Sequence, residues 1–304
     1  MTQQQDREAE PGMSPAALAA ARMAAAAAAD AAEMPEAGVP LPVSARATWL
    51  LAPNPGPMTF NGTNSWVLHE PGRVGTVIVD PGPDDDGHLS ALLSLAVEQG
   101  GRVDAILLTH GHPDHWAGAA EMSRRTGAPV LATDPRRGDT ALAAGELEFA
   151  GLRIEVFHTP GHSSDSTSFR LAADDVMLTG DTVLGRSAPT ILDPDGRVDE
   201  TIRSLRLLAE IVAASPATVM LPGHGPLVTD PGSTLALALA AREVRLRQHE
   251  DSVRDGRGTV SEVADELYGP FDERLRRPIE ATVRAHLRYL ADHGRLSQPV
   301  DLGP

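Results

Sequence analysis

One local pattern recurs along the middle of this chain: a short apolar run followed closely by a histidine or an aspartate. Such runs are typical of buried strands, and the polar residues behind them belong to the loops at the strand ends. The runs are TVIVD (76–80), AILLT (105–109), PVLAT (129–133), RIEVF (153–157) and TVML (218–221). Helical patterns over 87–99, 115–126 and 199–214 separate several of them. The sequence therefore predicts a layered α/β domain whose polar loops gather at one rim of a sheet.

The segment THGHPDHWAG (109–118) concentrates metal-ligand residue types more than any ordinary surface loop requires. His110, His112, Asp114 and His115 fall within six residues, directly behind a predicted buried strand. On an extended loop, His110 and His112 at positions i and i+2 point the same way and can hold one ion. Asp114 and His115 then turn towards a second position. The pattern indicates a metal site rather than a solvated loop.

Three further turns each add one residue of the same kind. They are TPGHSSDS with His162, MLTGDTVLG with Asp181 and MLPGHGP with His224. Each ligand-type residue lies beside a glycine, which lets the backbone approach an ion closely. Together with the 109–118 loop they supply seven nitrogen and oxygen donors, enough for two ions.

The absence of cysteine limits the chemistry of that site. Without cysteine there are no thiolate ligands, no disulfides and no cysteine nucleophile. The chain also lacks the GxSxG motif of a serine nucleophile elbow. A donor set of nitrogen and oxygen with a majority of imidazoles suits Zn²⁺. We therefore predict two Zn²⁺ ions, with Mn²⁺ and Fe²⁺ as alternatives.

Composition divides the 304 residues into three regions. Residues 1–43 are rich in Ala and Pro and are expected to form a disordered extension. Residues 44–230 hold the α/β catalytic domain. Residues 231–304 are predicted as a small C-terminal helical domain, starting with a long helix over 231–254 and continuing from an N-cap at Thr259 or Ser261. This order suggests a winged-helix-like module, and the alternative is a helical cap on the main domain.

Charge restricts the partners of the chain. Its formal net charge is −16 and aromatic residues make up 3%, so polyanions are repelled and stacking platforms for bases are scarce. Arginines between 242 and 288 could reverse the charge locally, although interleaved acidic residues favour a solvated helix face. No apolar run reaches the ~20 residues that span a bilayer. We expect a cytoplasmic protein with no membrane and no DNA partner.

The motifs resemble those of the metallo-β-lactamase superfamily, both in their sequences and in their order along the chain. HGHPDH (110–115) is similar to its HxHxDH motif, and its other motifs are matched in order by VDPG (79–82), PGHS (160–163), GDT (180–182) and PGHG (222–225). Within this superfamily, three further segments resemble the β-lactamase-like protein 2 family. They are NPGPMTFNGTNSWVL (54–68), GDTVLGRSAPTILDPDG (180–196) and REVRLRQ (242–248). The resemblance implies a four-layer αββα sandwich with a small winged-helix-like C-terminal domain. RSAPT and Ala241 depart from the family pattern, at positions that bear on substrate contacts.

The resemblance also implies roles for the donors. One ion would take His110, His112 and His162, the other would take Asp114, His115 and His224, and Asp181 would bridge them. Asp114 would also orient the hydroxide that bridges the two ions. We expect Asp80 to orient a ligand histidine or the loop from behind, with strand-end turn chemistry as the alternative.

The substrate is open at this stage. The resemblance favours hydrolysis of single-stranded RNA by a metal-bridging hydroxide. The alternative is hydrolysis of a thioester of the acyl-carrier or glutathione type, and a second alternative is a non-catalytic, metal-stabilised binding module. The predicted partner is therefore a small-molecule or RNA substrate, with a homodimer expected by analogy only. The predicted substrate contacts are Asn61, Thr63, Asn64 and Arg186.

Overall fold

Two mixed β-sheets form the centre of the protein in the computed structural model, which describes residues 34–215 and 218–303. The first sheet holds seven strands in chain order: β1 (Leu41–Pro42), β2 (Ala47–Leu51), β3 (Asn64–His69), β4 (Thr76–Val79), β5 (Val103–Leu107), β6 (Val130–Ala132) and β7 (Thr140–Ala141). The second holds five in the order β12-β11-β10-β9-β8: β8 (Gly145–Phe149), β9 (Leu152–His158), β10 (Thr167–Leu171), β11 (Val176–Gly180) and β12 (Val219–Pro222). All five strand runs predicted from the sequence lie in these sheets.

The sheets pack face to face through alternating side chains of their central strands. In β3, Trp66 contributes to the core between the sheets and Val67 to the core on the outer face. Trp66 stacks on Trp49 of β2, with ring centroids 5.5 Å apart. Phe169 of β10 enters the same core from the opposite sheet. Loops at the ends of both sheets are thereby held at fixed positions relative to each other.

Helices cover the outer face of each sheet. They are α1 (Asp86–Gly100) and α3 (Ala119–Thr126) on the first sheet and α4 (Val198–Ala214) on the second. Leu89 and Met122 pack with Ile78 of β4, and Leu208 packs with Met220 of β12. The predicted α/β class and the four-layer αββα sandwich are confirmed.

The helix predicted over 115–126 is divided in two. A single helical turn, α2 (Pro113–Trp116), is followed by a break at Gly118 before α3 begins. A Cβ atom at Gly118 would lie 2.7 Å from Leu89 Cδ2 and 2.9 Å from the Pro83 carbonyl oxygen. At this break the chain passes so close to α1 and to the loop before it that only glycine fits.

Three helices follow the sandwich: α5 (Pro231–Arg254), α6 (Val260–Tyr268) and α7 (Arg276–Asp292). Thr259 begins α6 with a capping box to Glu262, as one of the two predicted N-caps. Leu246, Ala285 and Leu290 pack with Val198 of α4, which joins the helices to the sandwich. Within 231–303 the structure shows one isolated bridge, Thr259 to Asp301, and no β-hairpin. The C-terminal helices are confirmed, whereas the winged-helix comparison stays a prediction.

The folded part of the chain starts before residue 44. Met34 packs against the core between the sheets, and Leu41–Pro42 pairs antiparallel with β2. The predicted extension over 1–43 is therefore too long at its C-terminal end, and its residues 1–33 lie outside the described residues. No helix in the described part of the chain has the length and apolarity needed to cross a bilayer. The cytoplasmic location stays a prediction.

Candidate metal centre

The seven predicted ligand side chains meet at one edge of the sandwich. They lie in the loops that follow β5, β9, β11 and β12. Their donor atoms form three overlapping groups in which all atoms lie within 4.8 Å of one another: His110, His112 and His162; His110, His115 and Asp181; Asp114, His115 and His224. The loops in which a ligand-type residue follows a strand thus all lie at the same edge of the sandwich.

The first group is formed by three imidazole nitrogens. His110 Nε2 and His162 Nε2 lie 3.0 and 2.9 Å from His112 Nδ1. His112 has extended backbone and directly precedes α2, whose first turn then carries Asp114 and His115 to the other side of the loop. This local change from extended to helical backbone is what divides HGHPDH between two positions.

The second group joins α2 to the loop after β12. His224 Nε2 lies 3.1 Å from Asp114 Oδ2 and 3.2 Å from His115 Nε2. Asp181 lies between the two groups, with its carboxylate oxygens 3.5 Å from His115 Nε2 and 3.6 Å from His162 Nε2. Asp181 Oδ1 is buried and accepts no hydrogen bond among the described residues.

Four of the histidines form a hydrogen bond through Nδ1, on the side of the ring away from the centre. In the neutral imidazole the proton is then on Nδ1, and Nε2, the inner nitrogen, is unprotonated. The Nδ1–H groups of His162 and His224 donate to the carbonyl oxygens of Thr190 (2.7 Å) and Gly62 (3.1 Å). His115 Nδ1 donates to Asp80 Oδ2 at 2.8 Å. The Thr109 hydroxyl donates to Asp80 and so accepts from His110 Nδ1 at 3.0 Å. These partners assign the tautomers, and each Nε2 lone pair then faces the centre.

Asp80 lies behind the loop and is hydrogen-bonded to it. The buried carboxylate accepts from the Thr109 backbone N–H at 2.7 Å, from the Thr109 hydroxyl at 2.6 Å and from His115. Asp80 has a positive φ of 50°, which is uncommon for a residue other than glycine. Its own amide donates to the Leu107 carbonyl. Strand-end turn geometry and ligand orientation are therefore combined in one residue.

Charges are strongly coupled in this centre. Burial opposes protonation of His115, but Asp181 and Asp80 outweigh it and raise its pKa to about 10. Burial lowers the pKa of His112 to about 4, with His162 adding to the shift. Burial alone would raise the pKa of Asp181, yet the neighbouring His224 and His115 bring it below its usual value. Anionic carboxylates facing imidazoles suit a divalent cation, which would displace the protons.

Two of the four predicted substrate contacts have another role. Asn64 is completely buried; it accepts from Trp49 Nε1 at 2.9 Å and donates to the carbonyl oxygens of Pro222 (2.8 Å) and Gly225 (2.9 Å). Thr63 is also fully buried and bonds to the Asn54 side chain. The prediction of substrate contacts is wrong for these two buried side chains, because Asn64 braces the turn that carries His224 and Thr63 contacts Asn54 instead.

The other two predicted contacts lie nearer the surface. Asn61 is half-buried in the loop before β3. Arg186 is half-buried and lines a cavity of about 290 Å³ beside Leu205 and Leu237. Burial lowers the pKa of Arg186. Their contact with a substrate stays a prediction.

Sequence patterns miss the residues that support the ligands through the backbone. Thr190 and Gly62 act through their carbonyl oxygens, which any residue type supplies. Phe60 places its ring edge-on to His224, with centroids 6.4 Å apart. The one available signal is Thr109, a polar residue at the end of an apolar run and next to His110.

Comparisons with known proteins agree with this geometry. The model of the metallo-beta-lactamase superfamily matches residues 58–138 and 131–224. The atrochrysone carboxyl ACP thioesterase AgnL7 of Paecilomyces divaricatus is 28% identical over 284 residues, which cover 87% of this chain and 87% of the relative. An atrochrysone carboxyl ACP thioesterase of Aspergillus fumigatus is 26% identical, covering 86% of this chain and 82% of the relative.

A solved structure has the same overall arrangement. A metallo-beta-lactamase family protein of Thermus thermophilus superimposes with a TM-score of 0.67 at 25% identity, over 82% of this chain and 94% of that one. The family match covers more than half of this chain and ends at His224, the last of the seven donors. The chain belongs to the metallo-beta-lactamase superfamily.

Proposed function

We propose that this protein is a metal-dependent hydrolase of thioesters, acting on acyl groups held by a carrier protein. The observation that carries the proposal is the convergence of seven nitrogen and oxygen donors at one rim. Superfamily membership supports hydrolysis, and relatives named as carboxyl ACP thioesterases support a thioester as the bond. The thioester alternative therefore replaces RNA, which the family resemblance favoured.

We infer that the donors hold two Zn²⁺ ions. The residues fit a cation because the inner ring nitrogens carry lone pairs, and because the buried Asp181 Oδ1 has no hydrogen-bond partner among the described residues. The donors divide into two sets joined by Asp181: His110, His112 and His162; Asp114, His115 and His224. A bound divalent cation supplies a Lewis acid that acidifies water and polarises a carbonyl group.

Asp114 is the carboxylate best placed to handle protons. Its side chain is 26% exposed, compared with 10% for Asp181 and 2% for Asp80. From this position it would accept a hydrogen bond from the attacking water and take its proton. The water oxygen bonds to the thioester carbonyl carbon, the carbon–sulfur bond breaks, and the proton passes to the thiolate. The products are an acid and a thiol.

The distribution of arginines supports the choice against RNA. Most of the arginines in residues 231–303 are paired with carboxylates: Arg247 with Glu243, Arg254 with Asp251, Arg257 with Glu266, Arg274 with Asp272, Arg276 with Glu273, Arg288 with Asp193 and Arg295 with Glu250. Phosphate binding depends on cations that can replace the counterions of the nucleic acid. Arginines already neutralised by carboxylates serve this purpose poorly.

Parallel turnover assays test the proposal. The zinc-loaded protein is offered acyl thioesters of a carrier protein, unstructured RNA and a chromogenic β-lactam, and its metal content is measured. We expect about two ions per chain and hydrolysis of the thioesters that chelators abolish. Asp114→Ala and His112→Ala should each lose roughly 100-fold or more in rate. His293→Ala, an exposed histidine at the end of α7, is the matched control.

Three outcomes would contradict the proposal in different ways. Cleavage of RNA alone would restore the first substrate prediction. Bound metal without turnover of any substrate would favour the binding module. Full activity in His112→Ala would show that the proposed ligands do not form the catalytic centre.

A further inference from the structure

A cavity lies between the sandwich and the C-terminal helices, near the candidate metal centre. Its volume is about 300 Å³. The walls are largely apolar and include Met58, Ile191, Leu275 and Ile279. Two loops meet here: the one that contains MTFNGTN and the one that contains RSAPT, where the sequence departs from the family pattern.

The cavity adjoins the candidate metal centre. The Thr190 carbonyl, which accepts from His162 Nδ1 at 2.7 Å, belongs to a residue of the cavity wall. The neighbouring Pro189 carbonyl accepts from Arg242 Nη2 at 3.3 Å. One short loop segment therefore supports a metal-ligand candidate on one side and an arginine of α5 on the other.

Arg242 is an unusual component of such a wall. It is only 7% exposed, and no carboxylate among the described residues lies within ion-pair distance of its guanidinium. Its partners are the Pro189 carbonyl and, at 3.1 Å, His286 Nε2, while its Nε has no hydrogen-bond partner. Burial lowers its pKa to about 10, so it stays charged at neutral pH. A buried charge without a counterion is costly, which suggests that an anion completes the site.

Arg245 adds a second cation to the same wall. Its guanidinium lies over the Tyr268 ring, 5.0 Å from the centroid, and both residues line the cavity. Arg245 likewise has no ion-pair partner among the described residues, whereas Arg247 on the same helix pairs with Glu243. The cavity thus combines apolar walls with two uncompensated positive charges.

We propose that this cavity binds the acyl part of the substrate and that Arg242 pairs with an anionic oxygen on it, such as a carboxylate remote from the thioester. The inference rests on the proposed thioesterase function and narrows its substrate to apolar acyl groups with an acidic oxygen. A phosphate on the carrier arm is the other source of such an anion.

A pair of dyes tests the pocket without turnover. 1-Anilinonaphthalene-8-sulfonate and N-phenyl-1-naphthylamine differ only by the sulfonate. We expect the full-length protein to bind the sulfonate more tightly. Arg242→Gln should weaken sulfonate binding about 10- to 100-fold, the effect of one charge-assisted hydrogen bond, and leave the neutral dye within a few-fold. Arg247→Gln should bind both dyes like the wild type.

A second variant covers the case in which Arg242→Gln does not fold. Ile279→Trp fills the cavity from its apolar side and should weaken binding of both dyes. Dye binding that Arg242→Gln leaves unchanged, or that Ile279→Trp leaves unchanged, would overturn the pocket assignment.

Turnover then distinguishes the two proposals. N-acetylcysteamine thioesters of adipic and hexanoic acid differ in the remote carboxylate and contain no phosphate; the same acyl groups on coenzyme A add phosphates. We expect a higher kcat/KM for the adipoyl thioester on both carriers, lost in Arg242→Gln and retained in Arg247→Gln. Turnover with no preference for the adipoyl thioester on either carrier would overturn this inference alone. A higher kcat/KM on coenzyme A than on N-acetylcysteamine for both acyl groups, lost in Arg242→Gln, would assign Arg242 to the carrier phosphate instead. No thioester turnover would overturn the proposed function, while the dyes still decide the pocket.

Discussion

Asp80 shows how one buried carboxylate can set the geometry of a whole ligand loop. It touches none of the inner donor atoms, yet it fixes His115 directly and His110 through Thr109. Groups of this kind orient ligands and raise their basicity. Asp80 would therefore affect the proposed metal by holding its ligands in place, without contacting the metal itself.

Replacing Asp80 by Asn should therefore weaken metal binding without removing a ligand. The Asn side chain has the shape of Asp but no charge. Its amide NH2 group is a donor and would face the donor groups of Thr109 or His115, so it cannot replace the hydrogen bonds that the carboxylate accepts there. We expect zinc affinity to fall roughly 10- to 100-fold, measured by competition with a chelator of known affinity. Asp84→Asn, on the exposed loop before α1, is the control and should bind as the wild type. Unchanged affinity in Asp80→Asn would limit Asp80 to turn formation.

Asn64 gives a prediction of the opposite kind, a loss of stability. Asn64→Ala leaves Trp49 Nε1 and two carbonyl groups of the 222–225 turn without their buried partner. We expect the free energy of unfolding of the metal-free protein to fall by about 2–4 kcal/mol, measured with denaturant. Asn61→Ala, in the loop just before β3, should change it by less than ~0.5 kcal/mol. Equal effects at both positions would argue against the brace.

At the level of elements, the repeated strand–turn–ligand unit accounts for what the sequence could predict. A buried strand and the glycine turn after it are local patterns, so His110, His162, Asp181 and His224 could be placed at strand ends before the fold was known. The brace from Asn64 to Gly225 spans 161 residues, and the support of His162 by Thr190 uses a backbone oxygen. Long-range contacts of this kind leave no local periodicity, which is why Asn64 could be mistaken for a substrate contact.

The turn after β12 also allows a test of close packing at the site. A Cβ atom at Gly223 would collide with Asp181 Oδ1 and lie 2.7 Å from His115 Cε1. Gly223→Ala should therefore displace two proposed ligands and reduce zinc content and turnover by roughly 100-fold. Gly232→Ala is the matched control, because a Cβ there meets only Asp230 Oδ1, at 3.9 Å, in the first turn of α5. Full zinc content in Gly223→Ala would show that the turn can relax.

The C-terminal helices contain an acid-sensitive pair. His249 of α5 stacks on His286 of α7, with centroids 4.7 Å apart and planes 11° from parallel, and both are fully buried. Burial lowers the pKa of His249 to about 4. Its neutral form is thus preferred in the folded state, so its contribution to stability is complete above the unfolded pKa near ~6.5 and is lost as pH falls through about 4.

Replacing His249 by Phe keeps a flat ring and removes the titration. Between pH 7 and 4.5 the wild type should lose about 2–3 kcal/mol more unfolding free energy than His249→Phe. Comparing differences between the two pH values removes any constant effect of the substitution itself. His293→Phe, which alters an exposed ring, should retain the full wild-type pH dependence. Parallel pH profiles for wild type and His249→Phe would mean that His249 takes up its proton at the same pH in the folded and the unfolded state, so that burial does not lower its pKa.

For the whole molecule, composition and structure report different things. The net charge of −16 indicates repulsion of polyanions, and the ion pairs within residues 231–303 agree with it. Composition could not show that Arg242 is buried without a carboxylate beside an apolar cavity, because that depends on how α5 packs against the 188–191 loop. An overall acidic chain can therefore contain a local anion site for a small ligand while remaining unsuited to nucleic acid.

The hydrophobic cores and the candidate metal centre should contribute separately to the stability of the molecule. The core between the sheets and the cores beneath the helices contain none of the seven donors, so the metal-free chain should remain folded. A ligand that binds only the native state stabilises it by about 4 kcal/mol at 1,000 times its Kd. For a protein of this size we expect zinc to raise Tm by roughly 10 °C, measured by calorimetry with zinc and with excess chelator. His112→Ala should lose most of that increment while its metal-free Tm stays near that of the wild type. A chelated wild type that is unfolded at 25 °C would instead show that the metals are part of the folding core.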